Sequence, residues 1–200
     1  LSAQRISHLF KENSLDKPSS LKNCTETIIR QVSNIEKLIS EFSNFARMPE
    51  GNFELTKLNN LIETQISTQK IANKNVNFKF ISNKNKIEIL CDYDQISRLL
   101  MNVLKNSVES STKKNKEILV SLSKKGKFVT IDIEDNGEGF EKSNRENFFE
   151  PYMTKKRNGT GLGLAICKKI VEDHNGQIEL LDSESLGGAM VRIKLFVKMK

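Results

Sequence analysis

The chain has 200 residues, 37% of them hydrophobic and 28% charged, with a formal net charge of +7. That length suits one large domain or two small ones with a proper core, and the composition is not that of a disordered or fibrous chain. The Lys residues are dispersed, with no compact basic block among aromatics and no Trp, so no nucleic-acid partner is expected.

No apolar run approaches the ~20 residues needed to cross a bilayer, and no signal peptide opens the sequence. The first residue, Leu1, lies inside a helix-like pattern, which predicts a piece of a longer protein. Any membrane attachment is then expected in segments outside it, with this part cytoplasmic. Cys24, Cys91 and Cys167 are widely spaced and form no Cys-x-x-Cys pair. They read as reduced thiols, without a zinc site or a disulfide framework.

The first third reads as helical. Ile6, Leu9 and Phe10 mark the tail of one amphipathic helix. Asn13-Ser14-Leu15-Asp16-Lys17-Pro18-Ser19-Ser20 supplies turn residues and a Ser cap for the next. Leu21, Thr25, Ile28, Val32, Ile35, Ile39, Phe42 and Ala46 then recur at spacings of four and three, a heptad seam broken by Thr25. Ile29, Leu38 and Phe45 widen the seam into a bundle-type stripe. A helical hairpin alone cannot cover such a stripe. Pairing with a second copy into a four-helix bundle is the simplest solution, and packing on its own downstream domain is the alternative.

Met48-Pro49-Glu50-Gly51-Asn52 breaks the pattern, and residues 49–54 read as a linker. The predicted division is therefore 1–48, linker, and 55–200. In the last part helices are predicted from Leu58 to Ala72, Asp92 to Ser110 and Gly161 to His174, the last stopped by Asn175-Gly176. Ile96, Leu99, Leu100, Val103 and Leu104 share one side of the second. Strands are predicted from Val76 to Ile81, Ile87 to Cys91, Glu117 to Ser123, Phe128 to Glu134, Gln177 to Asp182 and Ala189 to Val197. Lys124-Lys125-Gly126-Lys127 forms a hairpin turn. Strands and helices that do not strictly alternate indicate an α+β sandwich of one mixed sheet and one helical layer.

Asp135 follows the alternation Val129, Ile131, Ile133 and so sits at a strand end. A carboxylate there can accept a hydrogen bond from the exocyclic amine of adenine, whereas guanine would present a repelled carbonyl. Gly137 and Gly139 allow close approach and positive φ. A calcium loop starting at Asp132 fails, because its twelfth position is Ser143. A plain strand-end turn is the competing reading.

Gly159, Gly161 and Gly163 lead directly into a helix, whose N–H groups suit phosphate. A dinucleotide fingerprint is excluded by Leu164 at the third glycine position, and no Walker A Gly-Lys-Ser/Thr follows. Asn102 and Asn106 lie one helical turn apart and offer amide oxygens suited to a phosphate-bound Mg²⁺, or they are simply solvated. Lys105, between them, reaches a phosphate oxygen or faces water. Lys155, Lys156, Arg157 and Asn158 could close over a nucleotide as a basic lid. His174 reads as a helix-end contact, and His8 lacks the neighbours expected of a phospho-acceptor.

In this order the motifs resemble the N, G1, F and G2 boxes of the GHKL ATPases, most closely those of sensor histidine kinases. Residues 92–111, Asp-Tyr-Asp-Gln-Ile-Ser-Arg-Leu-Leu-Met-Asn-Val-Leu-Lys-Asn-Ser-Val-Glu-Ser-Ser, resemble the N box, and Phe148-Phe149-Glu150-Pro151-Tyr152 precedes the second glycine cluster. The segment Thr27 to Pro49, with Glu41-Phe42-Ser43-Asn44-Phe45-Ala46-Arg47-Met48-Pro49, is similar to the second dimerisation helix of nitrogen-regulation sensor kinases of the NtrY type. The resemblance covers nearly the whole chain. It implies a Bergerat-type ATP-binding domain after a partial dimerisation and histidine-phosphotransfer hairpin, with ATP and Mg²⁺ as cofactors.

By the same match Asn106 and Asn102 would hold Mg²⁺, Asp135 would read adenine, and Gly137 and Gly139 would line the pocket. Thr160, Gly161, Leu162, Gly163 and Leu164 would cradle phosphate. Lys155 stands where relatives carry a second Thr, with Lys156 in the usual Lys place. No His-Glu-x-x-Asn-Pro acceptor motif is present, and Leu1-Ser2-Ala3-Gln4-Arg5-Ile6 resembles the sequence shortly after it. The acceptor His is therefore not in this chain, which is expected to bind ATP without phosphorylating itself. The implied partners are a second copy through the N-terminal helices and a response regulator, which Ser2, Arg5, Ile6 and Leu9 could face unless they line the bundle. Two alternatives share the pocket: a GHKL ATPase driving conformational change, and a non-catalytic nucleotide-sensing dimerisation module.

Overall fold

The computed structural model describes residues 18–46, 51–84, 86–111, 113–141, 145–154, 156 and 159–197. Contacts divide the chain into two compact units, one holding helix α1 (Pro18–Ala46) with Lys156 and the other running from the first strand to the last. The predicted first helix of the hairpin lies outside the described residues. Helix α1 begins at Pro18, within the predicted turn, since the proline ring presets helical φ and an N-terminal N–H has no helical partner to lose. Ile29, Val32, Ile35, Ile39 and Phe42 of its stripe are exposed. No described helix is long and apolar enough to cross a membrane.

The second unit contains β1 (Phe53–Lys57), α2 (Leu58–Ala72), β2 (Val76–Ser82), β3 (Glu88–Asp92) and α3 (Tyr93–Ser110). It continues with β4 (Lys116–Lys125), β5 (Phe128–Asp135), a 3₁₀ turn (Glu146–Phe149), α4 (Gly163–Asp173), β6 (Gln177–Asp182) and β7 (Ala189–Phe196). Five strands form one mixed sheet in the order β2-β4-β5-β7-β6, parallel between β2 and β4 and antiparallel elsewhere. Val129, Ile131 and Ile133 of β5 are buried, as are Ile96, Leu99, Leu100, Val103 and Leu104 of α3. Each such side chain contributes about 1.5–3 kcal/mol of burial. The α+β sandwich expected from the alternating and helical periods is the fold observed.

Two details differ from the sequence reading. The predicted strand at Ile87 to Cys91 does not join the main sheet; as β3 it pairs antiparallel with β1 in a separate two-stranded sheet. Strand β1 was not expected, and it starts at Phe53, inside the segment read as a linker. Its alternation is inverted, with Phe53 and Leu55 exposed and Thr56 buried, and it enters α2 at Leu58 with no turn residue between.

An isolated two-stranded sheet is marginal in water, and this one is fastened by polar contacts. The Asp92 N–H donates to Nε2 of buried His174 at 3.0 Å, while His174 Nδ1 lies 2.7 Å from the Ile170 carbonyl. Those partners require a neutral ring protonated on Nδ1. The Phe53 ring packs against the same imidazole, with centroids 4.9 Å apart and the planes tilted by 41°. His174 thus ties the end of α4 to β1 and β3, a larger role than the helix-end contact expected. Asp92 also caps α3 by accepting from the Gln95 N–H at 2.8 Å and takes the Asn52 N–H at 2.7 Å.

Candidate nucleotide-binding site

Strand β5 carries Asp135 to the end of the sheet, where it is 3% exposed. Its Oδ1 accepts from the Gly137 N–H at 2.9 Å and from the Ala189 N–H at 3.3 Å. Among the described residues no donor is paired with Oδ2. A buried carboxylate with one oxygen satisfied and the other open can accept a donor from a ligand.

The backbone around it leaves no room for side chains. A Cβ on Gly137 would stand 2.4 Å from the Ser110 Oγ, and one on Gly188 would stand 2.4 Å from the Asp135 carbonyl oxygen and 2.5 Å from the Gly137 nitrogen. Gly139 has φ +78°, a conformation glycine adopts without steric penalty. Asn136 anchors this loop to the start of β4, accepting from Glu117 N at 3.1 Å and donating to the Asn115 carbonyl at 2.9 Å.

Helix α3 joins the two glycine clusters. Asn102, Asn106 and Ser110 follow one another at i, i+4 and i+8, so they share one helix face. Ser110 meets Gly137, and the Asn106 amide nitrogen lies 3.8 Å from where a Cβ of Gly163 would be. Asn102 buries its amide nitrogen without a hydrogen bond of ordinary geometry. Its neighbour there is the Cys167 sulfur, a weak acceptor. Among the described residues no donor is paired with the Asn102 carbonyl oxygen. Two neutral amides one turn apart, beside a phosphate-type loop, are a donor set that fits Mg²⁺ already carrying triphosphate.

The second cluster is a crossing of two backbone segments. Gly161 has φ +72°, and its carbonyl accepts from the Tyr152 N–H at 3.1 Å. Tyr152 itself has φ +70°, uncommon for a residue with a side chain. Helix α4 then starts at Gly163, two residues later than predicted, because the left-handed Gly161 cannot belong to a right-handed helix. No side chain caps that helix start, and no acidic residue occupies its first turn. Its leading N–H groups therefore suit an anion. Leu162 is wholly buried, so only its main chain could face a ligand, and Leu164 is half-buried.

The remaining predicted residues are placed as follows. Lys105 is half-exposed and lies 3.9 Å from Glu109, one turn on. Thr160 is half-buried in the loop before Gly161. Lys156 is exposed and groups with the helical unit. Lys155, Arg157 and Asn158, the rest of the predicted lid, lie outside the described residues. Sequence reasoning missed Ser110, Gly188 and Ala189. The Gly187-Gly188 pair between two predicted strands was the available signal. A shallow depression of about 280 Å³ between β1 and α2, lined by Leu55, Lys57, Asn60 and Tyr93 among others, contains none of the predicted site residues.

Cys91 and Cys167 are buried, inert parts of this frame. Burial pushes the Cys91 thiol up to about 11 and the Cys167 thiol up to about 12. Unfolded thiols ionise near 9.0, so above that pH only the unfolded chain releases these protons. Stability is fully present below pH 9 and falls as pH rises toward the folded values, by about 1.4 kcal/mol per pH unit for each thiol. Urea titrations at pH 8, 9.5 and 10.5 check this, and a flat response would refute it.

Residues 91–199 match the family described as histidine kinase-, DNA gyrase B- and HSP90-like ATPases. The chain belongs to this family. Within this ATPase family it is similar to the nitrogen regulation protein NtrY of Azorhizobium caulinodans, at 34% identity over 98% of this chain and 26% of that protein. It is also similar to a putative NtrY-like sensor histidine kinase of Rickettsia felis, at 33% identity over 99% of this chain and 33% of that protein. The chain thus spans about a quarter to a third of these relatives' length. The nucleotide-free catalytic domain of histidine kinase ThkA matches with a TM-score of 0.66 and 29% identity, covering 73% of this chain and 96% of that one. ThkA in complex with the response regulator TrrA gives a TM-score of 0.73 over 98% of this chain and 57% of that one; at 23% identity this is a likeness of fold. The second unit is an ATP-binding catalytic domain of the sensor histidine kinase type.

Proposed function

We propose that this chain is the dimerising and ATP-binding portion of a two-component sensor kinase. In this reading residues 1–48 belong to the dimerisation hairpin, 49–54 to the connection and 55–200 to the nucleotide domain. The parent protein transfers the γ-phosphoryl of ATP to a histidine outside this chain, and then to an aspartate of a response regulator. The observation that carries the reading is Asp135, buried at 3% exposure between two glycine walls with its second carboxylate oxygen open.

In such a site Asp135 accepts from the adenine amine, and Gly137 and Gly188 let the surrounding main chain close around it with no room for a Cβ. The loop from Thr160 to Leu164 and the uncapped start of α4 direct N–H groups at phosphate. Asn106 and Asn102 would hold Mg²⁺, which neutralises the triphosphate charge when bound. Lys156 adds a cation from the lid segment. Chemistry of this kind rests on positioning more than on any covalent step by the protein. The exposed stripe of Ile29, Val32, Ile35, Ile39 and Phe42 supports pairing with a second copy, since apolar surface on that scale favours burial. The ThkA–TrrA complex supports a response regulator as partner. A cytoplasmic location, with membrane attachment only through segments outside this chain, accords with these partners.

The deciding experiment supplies γ-labelled ATP together with a second protomer or peptide that carries the acceptor histidine. Acid-labile label on the acceptor is expected. Binding of ATP without any transfer, accompanied by nucleotide-driven closure of the dimer, would instead establish a conformational ATPase; binding with neither would leave a nucleotide-sensing module.

A further inference from the structure

On strand β5, Glu134 and Asp135 are adjacent and point to opposite faces of the sheet. Asp135 serves the pocket, but Glu134 is equally committed. Its Oε2 accepts from the Ser183 hydroxyl at 2.7 Å and from the Ser185 hydroxyl at 2.6 Å. Both serines belong to the turn that joins β6 to β7. Ser183 closes that turn on itself: its N–H donates to the Gly188 carbonyl at 2.8 Å and its carbonyl accepts from Gly187 at 3.0 Å. Its hydroxyl oxygen also accepts from Leu186 N at 3.0 Å. The residues released from this turn, Gly188 and Ala189, are those that press on the Asp135–Gly137 backbone and donate to Asp135 Oδ1.

We propose that Glu134, through Ser183 and Ser185, is a positioning clamp that sets the aim of the adenine-reading carboxylate and so tunes base selectivity. The proposal rests on the nucleotide-site reading above. The physical argument is one of leverage. The Ala189 N–H reaches Asp135 at 3.3 Å, the longer of its two contacts, so a small displacement of the turn breaks it. Two hydroxyls converging on one charged oxygen fasten the turn itself to β5, beside the ladder pairing of Glu134 with Met190, and hydrogen bonds to a carboxylate are stronger than neutral ones. Released from them, the Gly188 wall recedes and Asp135 can rotate away from the base. Nucleotide affinity then falls without loss of any group that touches the nucleotide.

The test uses the whole chain and titrates Mg–ATP and Mg–GTP by calorimetry into wild type, Glu134→Ala, Glu134→Gln and Asp132→Ala. Asp132 projects from the same open face and pairs with Arg192 at 2.8 and 3.0 Å, away from the turn. It therefore controls for a general weakening of that surface. Glu134→Ala is expected to raise the Kd for Mg–ATP about tenfold and to shrink the preference for ATP over GTP, since one pair of charge-assisted bonds is lost. Glu134→Gln keeps an acceptor and should recover most of the affinity, and Asp132→Ala should bind as wild type does. Hydrogen exchange at the Ala189 amide should quicken in Glu134→Ala alone. Should wild type bind Mg–ATP while Glu134→Ala binds it equally well, or with an equal loss in Asp132→Ala, the clamp is wrong and the site stands. Absence of binding in wild type removes both. If Glu134→Ala does not fold, Ser185→Ala, which removes one of the two hydroxyls, must show the same loss of selectivity in smaller measure, and wild-type selectivity there would overturn the clamp.

Discussion

Asp135→Asn is expected to weaken Mg–ATP binding by about 100-fold or more, near 2.7 kcal/mol, while the domain stays folded. The reasoning separates the two carboxylate oxygens. Oδ1 holds the Gly137 and Ala189 N–H groups, and an amide oxygen can still accept from both, so the loop keeps its shape. At the other position an acceptor becomes an NH₂ donor facing the adenine amine, and two donors then oppose one another. A charged hydrogen bond is lost and a repulsive contact replaces it. Guanine presents a carbonyl there, so the variant should move toward GTP. Calorimetry with both nucleotides, alongside thermal unfolding, checks the result. A carboxylate that merely braced the loop would give the opposite pattern, with a lowered Tm and unchanged base preference.

The sequence made some parts of this arrangement legible because their cause is local. The helical period of Ile96, Leu99, Leu100, Val103 and Leu104 is set by a single buried face, and all five are buried. The turn at Lys124 to Lys127 contains Gly126 at φ +60°, a local requirement that the residue type announces. Placement at a distance was less legible. Strand β1 escaped because its apolar residues face outward and its buried position is a Thr, so alternation pointed the wrong way. The separate β1–β3 sheet depends on a histidine more than eighty positions away. Gly188 and Ala189 lie over fifty residues from Asp135, and nothing in their own neighbourhood signals that they grip it. Ser110 completes the face of Asn102 and Asn106, yet a serine at a helix end reads first as a cap.

Gly161→Ala is expected to weaken nucleotide binding by more than about 30-fold, and its comparison with Gly126→Ala isolates the reason. Both glycines have positive φ, at +72° and +60°, so either substitution costs about 1–2 kcal/mol in backbone conformation alone. At Gly126 nothing lies within 4 Å of the new methyl. That variant should lose only this increment and bind Mg–ATP normally, its turn being at the opposite end of β5 from Asp135. At Gly161 the methyl would stand 2.4 Å from the Tyr152 carbonyl carbon, 2.7 Å from its Cα and 2.8 Å from the Met153 nitrogen. Those are main-chain atoms, so no side-chain rotation can relieve the overlap. The Tyr152 N–H is bonded to the Gly161 carbonyl, and the two segments can part only by breaking that bond. The displacement passes to Leu162 and the uncapped start of α4, where the phosphate-directed N–H groups are. Affinity should therefore fall by more than about 30-fold. The Tm should drop less than core truncation would cause, because the buried faces of α3 and β5 are untouched. Matched calorimetry and unfolding on the two variants decide it: equal binding by both would mean that the Gly161 loop does not shape the phosphate site.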